Sequence, residues 1–319
     1  MKIVILNECF FGKEHLERLR ELGDVIIYSD TNTEERTVKR LKEADIGIGD
    51  QFIAKFGKKV LEDLPRLKLL ALNTTSFGYV DVETARKTGL KIANCPGFSK
   101  QSVAEFTIGL LFTINRKIAL GDRMMRNSVF ELDPGRKDHQ TFIGFELKGK
   151  TLGILGLGNI GTSVAILAKK LGMKVIAYTR TQKIVPGVSL CSLQDLFTKS
   201  DVVSIHLPLN SQTKNLIGET ELSLMKHHAL LINTSQPEIV NVQALYNALN
   251  TKRIGGAALD VGTRVDPNHP IFKIENIVIT PHAGSFTREA FFENLPNMIL
   301  KNVEAFIKGK PSNLVTTVS

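Results

Sequence analysis

Short apolar runs alternate with longer amphipathic ones along almost the whole chain. Runs of four to six residues rich in Val, Ile and Leu predict strands buried on both faces, since no polar alternation breaks them. A first series falls at residues 2–6, 25–28, 45–48, 67–70 and 90–93. A second falls at 151–155, 174–178, 202–206, 230–233, 256–260 and 276–280. Helical periodicity separates them at 14–22, 34–41 and 82–87, then at 162–171, 193–199 and 242–249. Ser192 and Asn241 stand where N-caps belong. Strands alternating with helices predict α/β architecture, with one doubly wound parallel sheet per series.

The amphipathic stretch 102–117 joins the two series, and 291–308 follows the last strand as a helix able to return to the first. This predicts a discontinuous layout. Residues 1–98 and 287–319 form one domain, 99–286 form the other, and the ligand cleft lies between them at the carboxyl ends of the strands. A chain of 319 residues suits two domains. The segment 122–148 is polar and poorly periodic; it reads as an arm around a second subunit or as a long loop.

The strand expected at 151–155 runs into Gly156-Leu157-Gly158-Asn159-Ile160-Gly161, and a helical run follows. In that setting the glycines permit a tight turn, close approach of backbone to a pyrophosphate, and close packing of helix on strand. The phosphates then sit at a helix N-terminus. The segment predicts dinucleotide binding, centred on Gly156, Gly158, Asn159, Ile160 and Gly161. At the end of the next strand, folds selecting NAD place an acidic residue that accepts from the ribose 2′-hydroxyl. Here stand Thr179, Arg180 and Thr181. A guanidinium attracts a 2′-phosphate, so the expected cofactor is NADP in preference to NAD.

Composition narrows the classes further. Hydrophobic content of 43% and charged content of 23% describe a globular chain. The net charge of +9 is scattered without a basic block, which argues against nucleic-acid binding. Cys9, Cys95 and Cys191 are odd in number and show no metal or redox spacing, so they read as reduced thiols of a cytoplasmic protein. The first residues read as a short strand and not as a signal peptide. No apolar run approaches the roughly 18 residues of a membrane span.

Five motifs in order resemble the D-isomer-specific 2-hydroxyacid dehydrogenase family, glyoxylate/hydroxypyruvate reductase-like. They are Asn94-Cys95-Pro96-Gly97 with Ser102-Val103-Ala104-Glu105, the glycine fingerprint, the segment Asp201 to Leu209, Leu259-Asp260-Val261, and Thr280-Pro281-His282-Ala283-Gly284-Ser285. The resemblance implies a Rossmann domain inserted into a flavodoxin-like substrate domain, a homodimer, and hydride transfer between a nicotinamide cofactor and a 2-keto or 2-hydroxy acid. It implies cofactor contacts at His206, Leu207, Pro208, Thr213, Thr234, Asp260 and His282. It implies a substrate loop at Thr75, Ser76, Phe77 and Gly78, where backbone amides meet a carboxylate. His282 falls on the family's acid–base histidine, and imidazole titrates near the working pH.

Two departures stand out. Where the family carries an Arg that grips the substrate carboxylate, this chain has Gln236, followed by Pro237; Gln brings neutral donors and no charge. Where the family carries the Glu that pairs with the histidine, it has Thr263. Asp266 is a nearby alternative for the carboxylate, and Arg264 or Arg288 for the Arg. The expected activity is an NAD(P)-dependent reductase using His282. The rival is a dinucleotide-binding regulatory or scaffolding protein with little dehydrogenase activity.

Overall fold

Within the central strands, neighbouring residues pack to opposite sides and both sides are buried, which is what helices on both faces of a parallel sheet require. The computed structural model describes residues 1–7, 10–127, 137–180, 183–260, 262 and 265–315, with the backbone alone at 137–139. These divide into two units, Met1–Ser99 with Phe286–Ser319, and Lys100–Ser285.

The first unit carries β1 (Lys2–Ile5), β2 (Asp24–Ile27), β3 (Ile46–Gly49), β4 (Leu69–Leu72) and β5 (Lys91–Ala93) in the parallel order β2-β1-β3-β4-β5. That is the flavodoxin-like order. Ile3, Ile5, Leu69 and Ala71 face a helix of the C-terminal segment, Leu295–Ile307, through Ile299 and Val303. Val4, Leu6, Leu70 and Leu72 face the other side, against Leu41 and Leu61. The helices of this unit in chain order are α1 (Lys13–Leu22), α2 (Glu34–Leu41), α3 (Lys58–Glu62) and α4 (Val82–Thr88).

The second unit opens with α5 (Lys100–Asn115) and α6 (Ile118–Arg126). Its strands are β6 (Thr151–Leu155), β7 (Lys174–Tyr178), β8 (Val188–Leu190), β9 (Val202–Ile205), β10 (Leu230–Asn233), β11 (Gly256–Asp260) and β12 (Ile277–Thr280). They form one parallel sheet ordered β12-β11-β10-β9-β6-β7-β8. Read from β8, this is the doubly wound dinucleotide-binding order with a seventh strand added, so the order reverses beside β6. Leu152 and Ile154 pack under α5 and α7 (Asn159–Lys170). Leu155, Val203 and Ile205 pack on the opposite face against α8 (Leu193–Lys199) and α10 (Val242–Asn250). Ser192 and Asn241 cap those last two helices, accepting from Asp195 N and Ala244 N. A short α9 (Glu219–Leu224) completes the layer.

Each unit ties the start of its first strand to the start of a neighbouring one through an aspartate. Asp45 Oδ2 accepts from Lys2 N at 2.9 Å, and Asp201 Oδ2 accepts from Thr151 N at 2.8 Å. Of the segment 122–148, residues 128–136 lie outside the described residues. At its end, Phe145 is held by Asn115, whose side chain accepts from Phe145 N and donates to its carbonyl.

Candidate active site

All the carboxyl ends of a parallel sheet lie on one edge, so the loops that leave β6, β7, β9, β10, β11 and β12 share that edge of the second unit. Leaving β6, Gly156 adopts φ +98°, and a Cβ there would lie 2.6 Å from His206 O. A Cβ at Gly161 would collide with Gly156 O, so this glycine lets α7 pack against the turn. Gly158 differs from both: a Cβ would meet nothing within 4 Å. It is also the N-cap of α7, with no side chain capping it. The N–H groups of Asn159, Ile160 and Gly161 belong to the first turn of α7, where a helix leaves its donors without intrahelical partners at its positive end. That cradle fits the pyrophosphate of a dinucleotide.

Beyond β7, Thr179 is half-buried and Arg180 is exposed, and Arg180 Nη1 donates to Gln212 Oε1. Thr181 lies outside the described residues. Lys183, which no sequence motif marks, donates to Thr162 Oγ1 at 3.0 Å, which places its ammonium beside the first turn of α7. At the end of β9, burial pushes His206 down to about 3, so its imidazole is neutral near pH 7. Its Nε2 lies 2.8 Å from Ser204 Oγ. Leu207 and Pro208 follow. Thr213 closes the same loop, donating to Pro208 O at 2.7 Å and accepting from Asn210 N at 2.8 Å.

Past β10, the buried Asn233 shapes the next turn. Its Oδ1 accepts from Ser235 N and its Nδ2 donates to Gln236 O, at 2.9 and 3.0 Å. Ser235 Oγ donates to Ile205 O, and the hydroxyl of Thr234 lies 3.0 Å from that of Thr107 in α5. The turn is thus fixed on three sides, with Gln236 at its exit and Pro237 opening a 3-10 turn.

The ends of β11 and β12 meet at Asp260, which is 3% exposed. Its Oδ1 accepts from Thr280 Oγ1 at 2.6 Å and Ala283 N at 2.8 Å, and its Oδ2 accepts from Gly284 N at 2.8 Å. Between those donors, His282 stands exposed with φ +60°. Gly262 lies against it; a Cβ on Gly262 would fall 3.3 Å from His282 Cβ. Thr263 and Arg264 lie outside the described residues. Asp266 is exposed and accepts from Asn268 N in its own turn, and Arg288 is exposed in the first unit.

In the first unit the loop after β4 is held from several sides. The fully buried Gln51 donates to Ser76 O and Oγ and accepts from Tyr79 N. Thr75 Oγ1 donates to Cys95 O at 2.7 Å, and Thr74 Oγ1 to Ser76 O at 2.7 Å. Those threonine hydroxyls are therefore engaged, Thr74 inside the loop and Thr75 with the segment after β5. The backbone N–H groups of residues 74–78 donate to no other described residue, and Gly78 is open to 4 Å around its Cβ direction. Among the described residues no cluster of metal-ligating side chains occurs, and no helix is long and apolar enough to cross a membrane.

The profile of the D-isomer specific 2-hydroxyacid dehydrogenase NAD binding domain matches residues 108–284, more than half of the chain. The chain belongs to the D-isomer-specific 2-hydroxyacid dehydrogenase family. A glyoxylate reductase of Aeropyrum pernix is 37% identical over 98% of this chain and 95% of its own length. A glyoxylate reductase of Thermococcus litoralis is 36% identical over 94% and 92%. Among solved structures, an acyclic imino acid reductase in complex with NADPH and D-Arg is 35% identical, with a TM-score of 0.90 over 99% of this chain and 100% of that one. This member of the family is an NAD(P)-dependent oxidoreductase. Its dinucleotide domain is the one built around Gly156 and Gly161.

Proposed function

We propose that this dehydrogenase reduces small 2-keto acids with NADPH in preference to NADH, and that His282 delivers the proton. The observation that carries the reading is His282 itself. It is exposed and locked in a left-handed turn at the sheet edge that also holds the glycine cradle. A bound nicotinamide supplies a hydride to the carbonyl carbon. The chain's own residues do the rest. His282 gives its proton to the carbonyl oxygen as negative charge develops there, and the 2-hydroxy acid leaves with that proton. His206, neutral and hydrogen-bonded to Ser204, supports the wall of the site without acting as the acid. The backbone amides of residues 74–78, which donate to no other described residue, suit the substrate carboxylate, as Thr75, Ser76, Phe77 and Gly78 do in the family resemblance.

Cofactor choice rests on Arg180, with Lys183 as a second cation near the same turn. Gln236 and Thr263 stand where the family carries its Arg and Glu, so the charged carboxylate clamp and the acidic partner of the histidine are both replaced. A second reading draws on the likeness to the acyclic imino acid reductase: with a neutral Gln236 in the site, the reduced bond is C=N, and the proton goes to nitrogen.

The test is NADPH and NADH oxidation with glyoxylate, hydroxypyruvate, pyruvate and bulkier 2-keto acids, each with and without an added amine, and with uncharged ketones. Keto-acid turnover without amine supports the main reading, and amine-dependent turnover the second. Tight cofactor binding with no turnover supports the rival regulatory role. His282→Ala is expected to lower kcat by about 10²–10⁴-fold. Assembly is proposed as a homodimer, because α6 has no buried residue and leaves Ile118 and Met125 exposed.

A further inference from the structure

We infer that Asp260 is a positioning residue for His282, holding the imidazole from behind through the backbone that carries it. The inference rests on the proposed role of His282 and deepens it. Asp260 ends β11 directly opposite Thr280, the last residue of β12. From there its carboxylate reaches around the turn. It takes the Thr280 hydroxyl before His282 and the N–H groups of Ala283 and Gly284 after it, all at 2.6–2.8 Å. Two successive backbone N–H groups closing on one carboxylate form an anion nest, and here the anion is part of the chain. Bonds to an ionised acceptor are short and strong, so the turn is fixed more firmly than a neutral cap would fix it.

The consequence falls on the residue inside the clamp. His282 is one of six non-glycine residues with positive φ among those described. Such a backbone costs on the order of 1 kcal/mol or more and persists only where surroundings dictate it. The surroundings here leave little latitude. Gly284 has no room for a side chain, because a Cβ would lie 2.9 Å from Asp260 Oδ2 and 3.3 Å from Phe106 Cδ1. Gly262 presents bare backbone to His282 Cβ. Asp260 makes no ion pair among the described residues, and all three of its partners are neutral donors of the His282 turn. Its carboxylate is thus committed to the turn, whereas the family resemblance alone assigns Asp260 to the cofactor.

The experiment compares Asp260→Asn and Thr280→Val with wild type in the intact enzyme, on whichever substrate the panel identifies. Asparagine keeps the size but turns an NH₂ toward a backbone donor. Valine removes one of the three donors and keeps the shape. Expected are a kcat lowered about 30–100-fold for Asp260→Asn and about 3–10-fold for Thr280→Val, the scale of a reacting group displaced by about an ångström. NADPH Kd should stay within about threefold of wild type in both, and the pH profile of kcat should shift in the same graded order. A weakened NADPH Kd with kcat intact at saturating cofactor would return Asp260 to cofactor binding and overturn the inference. So would unchanged kcat and pH profile in both variants. If Asp260→Asn does not fold, Thr280→Val decides alone by the same criteria. His282→Ala separates the two layers: no effect there removes the proton-donor role, whereas a large effect there with none in the clamp variants removes only the positioning role.

Discussion

Arg180 donates to Gln212 across the loops that follow β7 and β9, an exposed contact that a 2′-phosphate can displace at little cost. On the proposed reading, Arg180→Ala weakens NADPH binding by about 1.5–3 kcal/mol, typical of a hydrogen bond to a charged group, and leaves NADH nearly unchanged. Fluorescence titration of both cofactors checks this, and equal losses would remove Arg180 from the selection. A companion change addresses the two proposed departures from the family's catalytic set. Gln236→Arg with Thr263→Glu supplies a carboxylate anchor and a partner for His282 together, and is expected to raise kcat/KM on small 2-keto acids. The two go in as a pair because such groups act as a unit. A loss would mean a site rebuilt around Gln236. The proposals on Arg180 and His282 come from the sequence, because their chemistry belongs to the residue type at a recognisable place. The work of Asn233, Gln51 and Lys183 was not. A buried amide that shapes a turn, or a lysine brought beside a helix start, takes its meaning from residues far away in sequence that only the fold assembles.

At the scale of elements, the two glycines of the cradle separate folding from binding. A methyl at Gly161 would strike Gly156 O and crowd Ile154 Cγ2 at 3.1 Å. Gly161→Ala is therefore expected to lower stability by roughly 1–3 kcal/mol, the usual effect of overpacking. Gly158 has φ −74°, which alanine tolerates, and open space where its Cβ would go. Gly158→Ala should leave the melting temperature within about 2 °C and still weaken cofactor binding severalfold, because the methyl enters space the pyrophosphate needs. Calorimetry beside a binding titration distinguishes the two effects; parallel losses in both variants would show that the loop is merely a tight turn. The strands and the caps at Ser192 and Asn241 could be read ahead because buried apolar runs and capping chemistry are local signals. Four elements escaped for a physical reason. β8 is largely exposed and three residues long, and α6 is short and has no fully buried residue. α3 and α9 have five and six residues, too few for a helical period to show. The start of α7 falls at Asn159 and not 162, since a glycine fingerprint hides the first turn of the helix it caps.

For the molecule as a whole, the same sequence logic produces two parallel sheets, and an aspartate at the amino edge of each ties strand to strand. The proposed homodimer predicts a mass by light scattering of about twice the 35.3 kDa chain, and a monomer at micromolar concentration would leave α6 as a solvated helix. Acid stability follows from the aspartates. Burial alone would raise Asp201, but Lys226, the Thr151 N–H and His228 outweigh it and hold the carboxyl at about 2. The Lys2 N–H and Lys68 likewise lower Asp45. A carboxyl whose pKa falls on folding adds stability above its unfolded value, near 4, and loses it as pH drops toward the folded value. For Asp201 that contribution is about 2 kcal/mol at neutral pH. Asp201→Asn removes the charge at every pH while keeping the shape. In urea titrations the variant should therefore be less stable than wild type at pH 7, and the gap should narrow steadily between about pH 4 and pH 2 as the wild-type carboxyl takes up its proton. A gap of constant size across that range would mean that Asp201 acts only as a hydrogen-bond acceptor for Thr151 N, with its charge contributing nothing to the fold.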